Sequence, residues 1–371
     1  MVNGLVKLAE RLAQNTAAQS RHGLGRATVT LPLLGALGLA ALGSAASAAD
    51  SKPKIAIVIP GPNAYFDSWR TATADAAAKY GFEGTFAVPP SDAFNLTQEN
   101  ALIDSLVARG FVGFGIFPGD TNGTNAQEAK LAKRGIVSVN VNGCTFDPSP
   151  ALFCISTDIY KAARYQAEEL IKTIGGAGSI ALLASQLTDP NTQLRIQAVK
   201  DAVATTGGKV QLAQIVADID TPQLSPPAVN ALLAAQGNTL AGAMSTSYYP
   251  SIAMAAALTD NPQFRHIKFI GADSAPQVME AVKQGVIYGT LFQNTYGVAY
   301  ASAHALYKVT HDRCKVADDA PFSTSPQTKR LIVADVLLVT KDNVAENPGP
   351  ASSPKDTARL LDLLDTKILK C

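Results

Sequence analysis

Residues Lys54 to Trp69 read Lys-Ile-Ala-Ile-Val-Ile-Pro-Gly-Pro-Asn-Ala-Tyr-Phe-Asp-Ser-Trp, and they indicate the fold class. The apolar run of this stretch, Ile55–Ile59, is rich in β-branched residues, which is typical of a strand buried on both faces of a parallel sheet. A Pro-Gly-Pro turn ends the strand, and the Ala-rich segment beyond it predicts a helix that ends at Gly81. Because open α/β sheets bind ligands outside the carboxyl ends of their strands, this turn is expected to line a binding site.

An amide and three aromatic side chains follow this strand: Asn63, Tyr65, Phe66 and Trp69. Together they predict one wall of a pocket for a small, partly apolar ligand. Tyr65 and Trp69 are also four residues apart, which places them on one helical face where they could be core residues. The residue types alone leave both interpretations open.

The alternation of strand-like and helix-like segments continues through the rest of the chain. Apolar strand candidates at 111–117 and 136–141 alternate with helical segments, and after an interruption at 144–158 the rhythm resumes as far as residue 339. Such β-α repetition with short loops predicts doubly wound parallel sheets. A mature chain of about 320 residues exceeds what one core organises, so we expect two α/β lobes with a ligand cleft between them.

Residues 1–49 have the pattern of a cleaved signal peptide. Basic residues precede an apolar run at 27–42, and Ala46-Ser47-Ala48 has the small-x-small form of a cleavage site. The segment 20–24 resembles the twin-arginine export motif with His22 in place of the second arginine, so the general secretory route stays open as well. The apolar run is too short for a lasting membrane span. We therefore expect an exported, periplasmic protein.

Composition argues against a nucleic-acid partner. Charged residues make up 16% of the chain and the formal net charge is +1. No basic stripe is visible along the sequence, and such a stripe is the usual footprint of a nucleic-acid-binding surface.

In an exported chain, the four cysteines are interpreted as disulfides before anything else. Cys144 and Cys154 bracket a short loop, and we favour the pairs Cys144–Cys154 and Cys314–Cys371, although the sequence leaves the other two pairings open. His311 lies one turn before Cys314, but no second pair with ligand spacing accompanies them. We expect no metal site.

Motifs of catalysis are missing from the sequence. Gly175–Gly178 lacks the Lys-Ser/Thr that completes a phosphate-binding loop, and no Gly-x-Ser-x-Gly or His-Glu-x-x-His occurs. His304 and His311 are roughly 10 Å apart along a helix, too far to share a metal. The sequence thus indicates a protein that is not an enzyme and needs no cofactor.

Three segments carry a family resemblance: Asn63–Phe66, Ile270–Asp273 and Gly289–Gln293. In these and along 54–342, the chain resembles the periplasmic solute-binding proteins of sugar-importing ABC transporters, of the ribose-binding type. The resemblance implies two doubly wound lobes, joined by three crossings, that close on the ligand like jaws.

The resemblance also implies domain boundaries. The first lobe would contain 50–157 and 294–327, and the second 158–293 and 328–371. The crossings would lie near 142–158, 293–296 and 325–329.

The ligand contacts implied by the resemblance are divided between the lobes. Tyr65 and Phe66 would stack on a sugar ring, and Asn63 would bond a hydroxyl group. The expected hydrogen-bonding residues of the second lobe are Arg195, Asp273 and Gln293. This chemistry suits a sugar, which has apolar C–H faces and an equator of hydroxyl groups.

Each of these residues also has a structural interpretation that the sequence leaves open. Asp273 could cap the helix that begins near Pro276. Arg195 could be a solvated helix residue, Gln293 an amide of the hinge, and Phe66 a core residue.

Two departures from the ribose type bear on the ligand. Asn142-Gly143 replaces an acidic residue followed by arginine, and the aromatic pair Tyr248-Tyr249 replaces an Asn-Asp pair. Asn142 and Tyr248 are candidate pocket residues. Compared with the ribose type, the pocket therefore has fewer charged groups and more aromatic rings. A deoxy sugar, polyol or ring alcohol thereby becomes a credible ligand.

The sequence therefore predicts a monomeric periplasmic protein that captures a small neutral sugar-like ligand, a carbohydrate or polyol, for the membrane permease of an ABC importer. An alternative is a ligand-sensing subunit that presents the solute to a histidine kinase or chemoreceptor. An exported enzyme on the same scaffold would need a base and a nucleophile in the cleft, and the sequence shows neither.

Overall fold

The computed structural model describes residues 52–91, 94–346 and 353–371. The predicted signal peptide, 1–49, lies outside the described residues. Within the described ranges, no helix is both long enough and apolar enough to cross a membrane.

Six parallel strands form the first sheet. They are β1 Lys54–Val58, β2 Glu83–Ala87, β3 Gly113–Ile116, β4 Val137–Val141, β5 Cys154–Ser156 and β12 Leu331–Val333, in the spatial order β12-β5-β4-β3-β1-β2. The helices of this lobe are α1 Asp67–Tyr80, α2 Leu96–Ala108, α3 Thr121–Lys133, α9 Thr295–Thr310 and α10 Pro354–Leu363.

Six further strands form the second sheet, which is parallel except for one antiparallel edge pair, β10 with β13. They are β6 Gly178–Leu183, β7 Val210–Val216, β8 Leu240–Ser245, β9 Lys268–Ala272, β10 Gly289–Gln293 and β13 Val336–Thr340, in the spatial order β13-β10-β9-β8-β6-β7. The helices of this lobe are α4 Ile159–Thr173, α5 Pro190–Ala204, α6 Ser225–Gln236, α7 Tyr248–Asp260 and α8 Pro276–Gln284.

Five shorter elements complete the described chain. Two 3-10 helices, Ala64–Phe66 and Pro262–Phe264, flank strands, and a π-helical turn, Leu364–Ile368, continues α10. The short strands β11 Lys315–Val316 and β14 Leu369–Lys370 pair antiparallel.

Strand β1 is buried on both faces, as its sequence predicts. Ile57 packs in one core cluster with Leu306 of α9. Its neighbour Val58 points the other way and packs in a second cluster with Leu106 of α2. Helices therefore cover both faces of the sheet, and the predicted architecture of two doubly wound α/β lobes is confirmed.

In the part of the chain that the structure describes, three short segments connect the two sheets: Thr157–Asp158, Asn294 and Ala334–Asp335. The first two lie within the predicted crossings at 142–158 and 293–296. The prediction of the third at 325–329 is wrong, because those residues precede β12, which still belongs to the first sheet. The apolar run predicted as one strand over 331–339 is two strands in different sheets.

The predicted assignment of 328–371 to the second lobe also needs correction. Only β13 of this segment joins the second sheet, whereas β12 pairs with β5 of the first. The tail beyond residue 353 packs on the first lobe, because Leu360, Leu364 and Ile368 are buried in the core cluster that contains Ile57. Burial of this apolar face decides where the tail lies.

Both cysteine pairs favoured from the sequence form disulfides, Cys144–Cys154 and Cys314–Cys371. The first closes the loop between β4 and β5. The second fixes the last residue of the chain to the segment after α9. Both disulfides therefore crosslink segments of the first lobe.

Candidate ligand-binding cleft

The carboxyl ends of strands from both sheets face a common cleft, which has about 400 Å³ of space between its atoms, partly open to solvent. The residues that line it are Asn63, Tyr65, Phe66, Phe94, Phe117, Asn142, Ser185, Asp189, Arg195, Asp220, Thr246, Ser247, Tyr248, Asp273 and Gln293. All the residues predicted for the site are among them except Trp69. Aromatic rings dominate the side of the first lobe, and polar groups dominate the side of the second.

Asn63 shapes the turn that follows β1. Its Oδ1 accepts a hydrogen bond from the backbone N–H of Tyr65 over 2.9 Å, which caps the 3-10 helix Ala64–Phe66. Its Nδ2 donates to Asp220 Oδ2 in the second lobe over 3.2 Å. One side chain thus orients the aromatic residues and also connects the lobes.

Tyr65 stands at the boundary between the aromatic and the polar side. Its ring lies edge-on to Phe66, with 5.0 Å between ring centroids. Its hydroxyl accepts a hydrogen bond from Asn142 Nδ2 over 2.5 Å. Burial raises the pKa of Tyr65 well above its ordinary value, so the phenol stays neutral and the ring offers a polarised apolar face.

Phe66 is the centre of an aromatic cluster. Its ring centroid lies 5.3 Å from that of Phe117, 6.4 Å from Phe94 and 4.9 Å from Trp69. Trp69 is completely buried and packs behind Phe66 rather than on the cleft wall. Of the two interpretations that the spacing of Tyr65 and Trp69 left open, the structure therefore puts Tyr65 at the cleft and Trp69 in the core.

Asn142 directly follows strand β4 and has a left-handed backbone, at φ 56°. Asparagine tolerates this conformation better than most residues do. The backbone carbonyl of Asn142 accepts a hydrogen bond from Asn191 Nδ2 of the second lobe over 3.1 Å. The residue thereby supports Tyr65 on one side and contacts the opposite lobe on the other.

Arg195 projects from α5, whose start is fixed by Asp189. Asp189 Oδ1 accepts from the backbone N–H of Asn191 over 2.9 Å, and its Oδ2 from the Thr192 hydroxyl over 3.2 Å. Burial raises the pKa of Asp189, and the positive charge of Arg195 acts in the opposite direction. Among the described residues, no carboxylate oxygen lies within 4.0 Å of the guanidinium, so its donors face the cleft.

Asp273 follows β9 and also has a left-handed backbone, at φ 65°. Its Oδ1 accepts from Gln293 Nε2 over 3.4 Å, and burial raises its pKa to about 7, against the lowering effect of Arg195. It does not cap the next helix, because α8 has Ala275 at its N-cap and no side chain bonds there. Asp273 and Gln293 thus form one polar corner of the cleft.

Asp220 is a cleft residue that the sequence interpretation missed. Its Oδ1 accepts from the backbone N–H of Tyr249 over 2.9 Å, and its Oδ2 accepts from Asn63 Nδ2 and, over 3.3 Å, from the Ser185 hydroxyl. Burial raises the pKa of Asp220 to about 6. This carboxylate is occupied by protein donors from both lobes.

The rule that identified Asn63 could have identified other residues of the second lobe. Ser185 follows β6, Asp220 follows β7, and Thr246 and Ser247 follow β8, all at carboxyl ends of parallel strands. Small hydroxyl residues after a strand are common in turns, which hides this signal. Phe94 had no such signal, because it lies in a loop before α2.

Several buried polar atoms of the cleft have no hydrogen-bond partner within the described part of the chain. They are Asn142 Oδ1, Gln293 Oε1, Thr246 Oγ1 and Ser247 Oγ. Buried polar atoms in folded proteins are nearly always bonded. The two amide oxygens require a donor, so a molecule that carries hydroxyl groups fits this cleft.

Across the residues that the structure describes, no group of three or more histidine, cysteine, aspartate and glutamate side chains could hold a metal ion.

Comparison with protein families gives one match over most of the chain. The periplasmic binding protein domain matches residues 55–312. That range begins in β1 and ends just after α9, so it contains every residue of the cleft described above.

Solved structures with the same fold include three solute-binding proteins of ABC transporters. The protein from Burkholderia graminis, in complex with D-arabinose, has a TM-score of 0.69 at 20% identity, over 79% of this chain and 97% of its own. The one from Bacillus halodurans, with bound myo-inositol, has a TM-score of 0.69 at 18% identity, over 81% of this chain and 99% of its own. The one from Agrobacterium vitis, with α-D-tagatopyranose, has a TM-score of 0.67 at 19% identity, over 84% of this chain and 99% of its own.

Proposed function

This chain belongs to the periplasmic binding protein family, and we propose that it captures a small neutral sugar-like ligand in the periplasm and delivers it to the permease of an ABC importer. The observation that carries the proposal is the division of the cleft into an aromatic side and a hydrogen-bonding side. A sugar, polyol or ring alcohol has the matching division, with apolar C–H faces and peripheral hydroxyl groups. The relatives of the same fold that hold D-arabinose and myo-inositol support this ligand class.

The charges around the cleft support a neutral ligand. Protein donors occupy both oxygens of Asp189 and of Asp220. Asp273 and Arg195 are left to face the ligand, one acceptor and one donor of opposite charge. A hydroxyl group can donate to the carboxylate and accept from the guanidinium, whereas an anionic or cationic ligand would leave one of them unbalanced.

Closure of the lobes would complete the site. Asn63 bonds Asp220 across the cleft, and Asn191 bonds the carbonyl of Asn142. A ligand that touches both lobes favours the closed form by its higher affinity for that form. In our proposal the chain acts as a monomer, without a cofactor and without catalysis.

A thermal-shift screen followed by calorimetry tests the proposal. The panel contains neutral pentoses, hexoses, deoxy sugars and inositols, with sugar acids and amino sugars as charged counterparts. We expect neutral compounds to raise the melting temperature, and the Asp273→Ala variant to lose that response. A panel in which only charged compounds bind, or in which Asp273→Ala binds like the wild type, would contradict the proposed ligand class.

Transport and sensing can be separated in cells. A subunit that presents its ligand to a histidine kinase or chemoreceptor would use the same cleft. Deletion of the gene should abolish uptake of the radiolabelled ligand if the chain serves an importer. Normal uptake with a lost transcriptional or chemotactic response would favour the sensing role.

A further inference from the structure

Asp356, in the C-terminal helix α10, is charged yet only 2% exposed. Its Oδ2 accepts a hydrogen bond from Asn294 Nδ2 over 2.7 Å and from the backbone N–H of Asp335 over 3.3 Å. Asn294 is the second crossing between the lobes, and Asp335 belongs to the third. One buried carboxylate therefore joins two of the segments that connect the lobes.

The surroundings of Asn294 show how closely these contacts are packed. Its Oδ1 accepts from the backbone N–H groups of Gly297 over 3.0 Å and Ser353 over 3.1 Å, and its Nδ2 also reaches the Thr357 hydroxyl over 3.2 Å. A Cβ atom at Gly297 would overlap Asn294 Nδ2 and lie 2.5 Å from Thr357 Oγ1. Only glycine fits at this position while the contacts are formed.

Arg359 balances the buried charge. Its Nε donates to Asp356 Oδ1 over 3.0 Å, and its Nη2 donates to the carbonyl of Val333 over 2.7 Å, at the end of β12. A buried carboxylate is tolerated only when it is paired and hydrogen-bonded. The pairing also adds a third contact to the segment that carries the third crossing.

The tail that presents Asp356 is anchored to the first lobe. Leu360 and Leu364 are fully buried in the core of that lobe. Asp365 Oδ1 contacts His304 Nε2 of α9 at 2.7 Å, and Cys371 is bound to Cys314. Asp356 must therefore move with the first lobe when the lobes rotate.

We propose that Asp356 is a positioning residue for ligand binding, which fixes the first-lobe ends of two crossings and thereby sets the balance between open and closed forms. Hinges are a few residues that absorb large backbone changes. With Asn294 and Asp335 held, the rotation is confined to the second-lobe side of these crossings. The observed affinity depends on the fraction of molecules that are in the form competent to bind the ligand. Loosening the contact of Asp356 with Asn294 and Asp335 should lower this fraction and so weaken binding. The inference rests on the hinged closure proposed above, but its test needs no ligand.

Hydrogen exchange and small-angle scattering on the ligand-free full chain test the proposal. In Asp356→Ala we expect the Asp335 amide to exchange at least tenfold faster and the radius of gyration to rise, while amides of β1 keep their protection. Asp362→Ala is the matched control, because Asp362 is an exposed aspartate on the same helix. A cooperatively melting Asp356→Ala with unchanged Asp335 exchange and an unchanged radius would overturn the proposal.

A second variant keeps the test decisive if Asp356→Ala does not fold. Asp356→Asn preserves the shape of the side chain and is measured in the same way. Its amide has one oxygen, which cannot accept from Arg359 on one side and from Asn294 and Asp335 on the other, so we expect the Asp335 amide to exchange faster than in the wild type. A folded Asp356→Asn with unchanged Asp335 exchange and an unchanged radius would contradict the role of this contact. The proposed ligand class would be untouched by that result, because the ligand panel measures it separately.

Discussion

At the scale of single residues, three aspartates of one cleft have different roles because their hydrogen bonds differ. Asp189 caps the helix that carries Arg195, and Asp220 accepts donors from both lobes. Asp273 accepts from Gln293 through Oδ1, and in our proposal its other oxygen faces the ligand. Residue type alone could not separate these roles, since each aspartate lies at the cleft.

Replacing Tyr65 by alanine should weaken ligand binding by roughly 30- to 150-fold. Loss of a stacked ring removes buried apolar area worth about 2–3 kcal/mol, at about 1.4 kcal/mol per decade of affinity. Calorimetric titration with the tightest-binding compound of the neutral panel measures the change. Tyr288→Ala, an exposed tyrosine of the second lobe, is the control. Equal affinities for Tyr65→Ala and the wild type would remove Tyr65 from the site.

Asp273 should make the ligand-free protein less stable as the pH rises from about 4 to about 7. Burial raises its pKa from the ordinary 3.8 to about 7, so in this window the folded state holds a proton that the unfolded chain has lost. The free energy of unfolding then falls with rising pH, by up to about 4 kcal/mol for this group.

Denaturant unfolding of the wild type and Asp273→Asn at several pH values between 4 and 7 measures this effect. The variant should show a shallower decline in stability, because its amide does not titrate. Asp342→Asn, at an exposed position in the same lobe, should keep the slope of the wild type. Parallel curves for the wild type and Asp273→Asn would show that Asp273 does not retain its proton.

At the scale of elements, sequence pattern predicted the strands better than the boundaries between lobes. The run Ile55–Ile59 was recognised because a strand buried on both faces leaves no polar alternation. The break at Ala334–Asp335 was missed, because two residues between apolar strands produce no turn signal. The tail was assigned to the wrong lobe, since its apolar face at Leu360 and Leu364 does not reveal which core it joins.

Sequence pattern also predicted only part of the cleft. Tyr65 and Asp273 were predicted because they follow strands and match a family pattern, and Asn142 was predicted because it follows a strand. Asp220 was missed, because a loop residue after β7 shows its role only when Asn63 of the other lobe is seen beside it. Contacts between distant parts of the chain carry information that local pattern does not.

The disulfide between β4 and β5 should contribute about 2–3 kcal/mol to stability. The bond Cys144–Cys154 closes a loop with a sequence separation of 10, and short loops give this magnitude in the chain-entropy model. The double variant Cys144→Ser/Cys154→Ser should unfold at a correspondingly lower denaturant concentration with an unchanged slope. An identical midpoint, or free thiols in protein recovered from the periplasm, would contradict this expectation.

At the scale of the whole molecule, a ligand that contacts both lobes, as we propose, makes binding and closure one equilibrium. Asn63, Tyr65 and Asn142 line the cleft from the first lobe, and Arg195 and Asp273 line it from the second. Removing a contact from either lobe lowers the affinity of the closed form more than that of the open one.

Asp273→Ala should therefore bind more weakly and also leave more of the protein open at a given ligand concentration. Scattering curves recorded along a titration report the open fraction, and calorimetry reports the affinity. Asp342→Ala serves as the control on the same lobe. If Asp273→Ala bound weakly but closed as fully as the wild type at equal ligand concentration, binding and closure would be separate events.

Small-angle scattering of the wild-type chain measures whether the two lobes close on the ligand. The radius of gyration is measured without ligand and then at saturation with the neutral compound that gives the largest thermal shift. The two-lobed mechanism predicts that the radius falls on binding, because the ligand draws both lobes together. A radius that stays unchanged at proven saturation would contradict capture of the ligand by closure of the cleft.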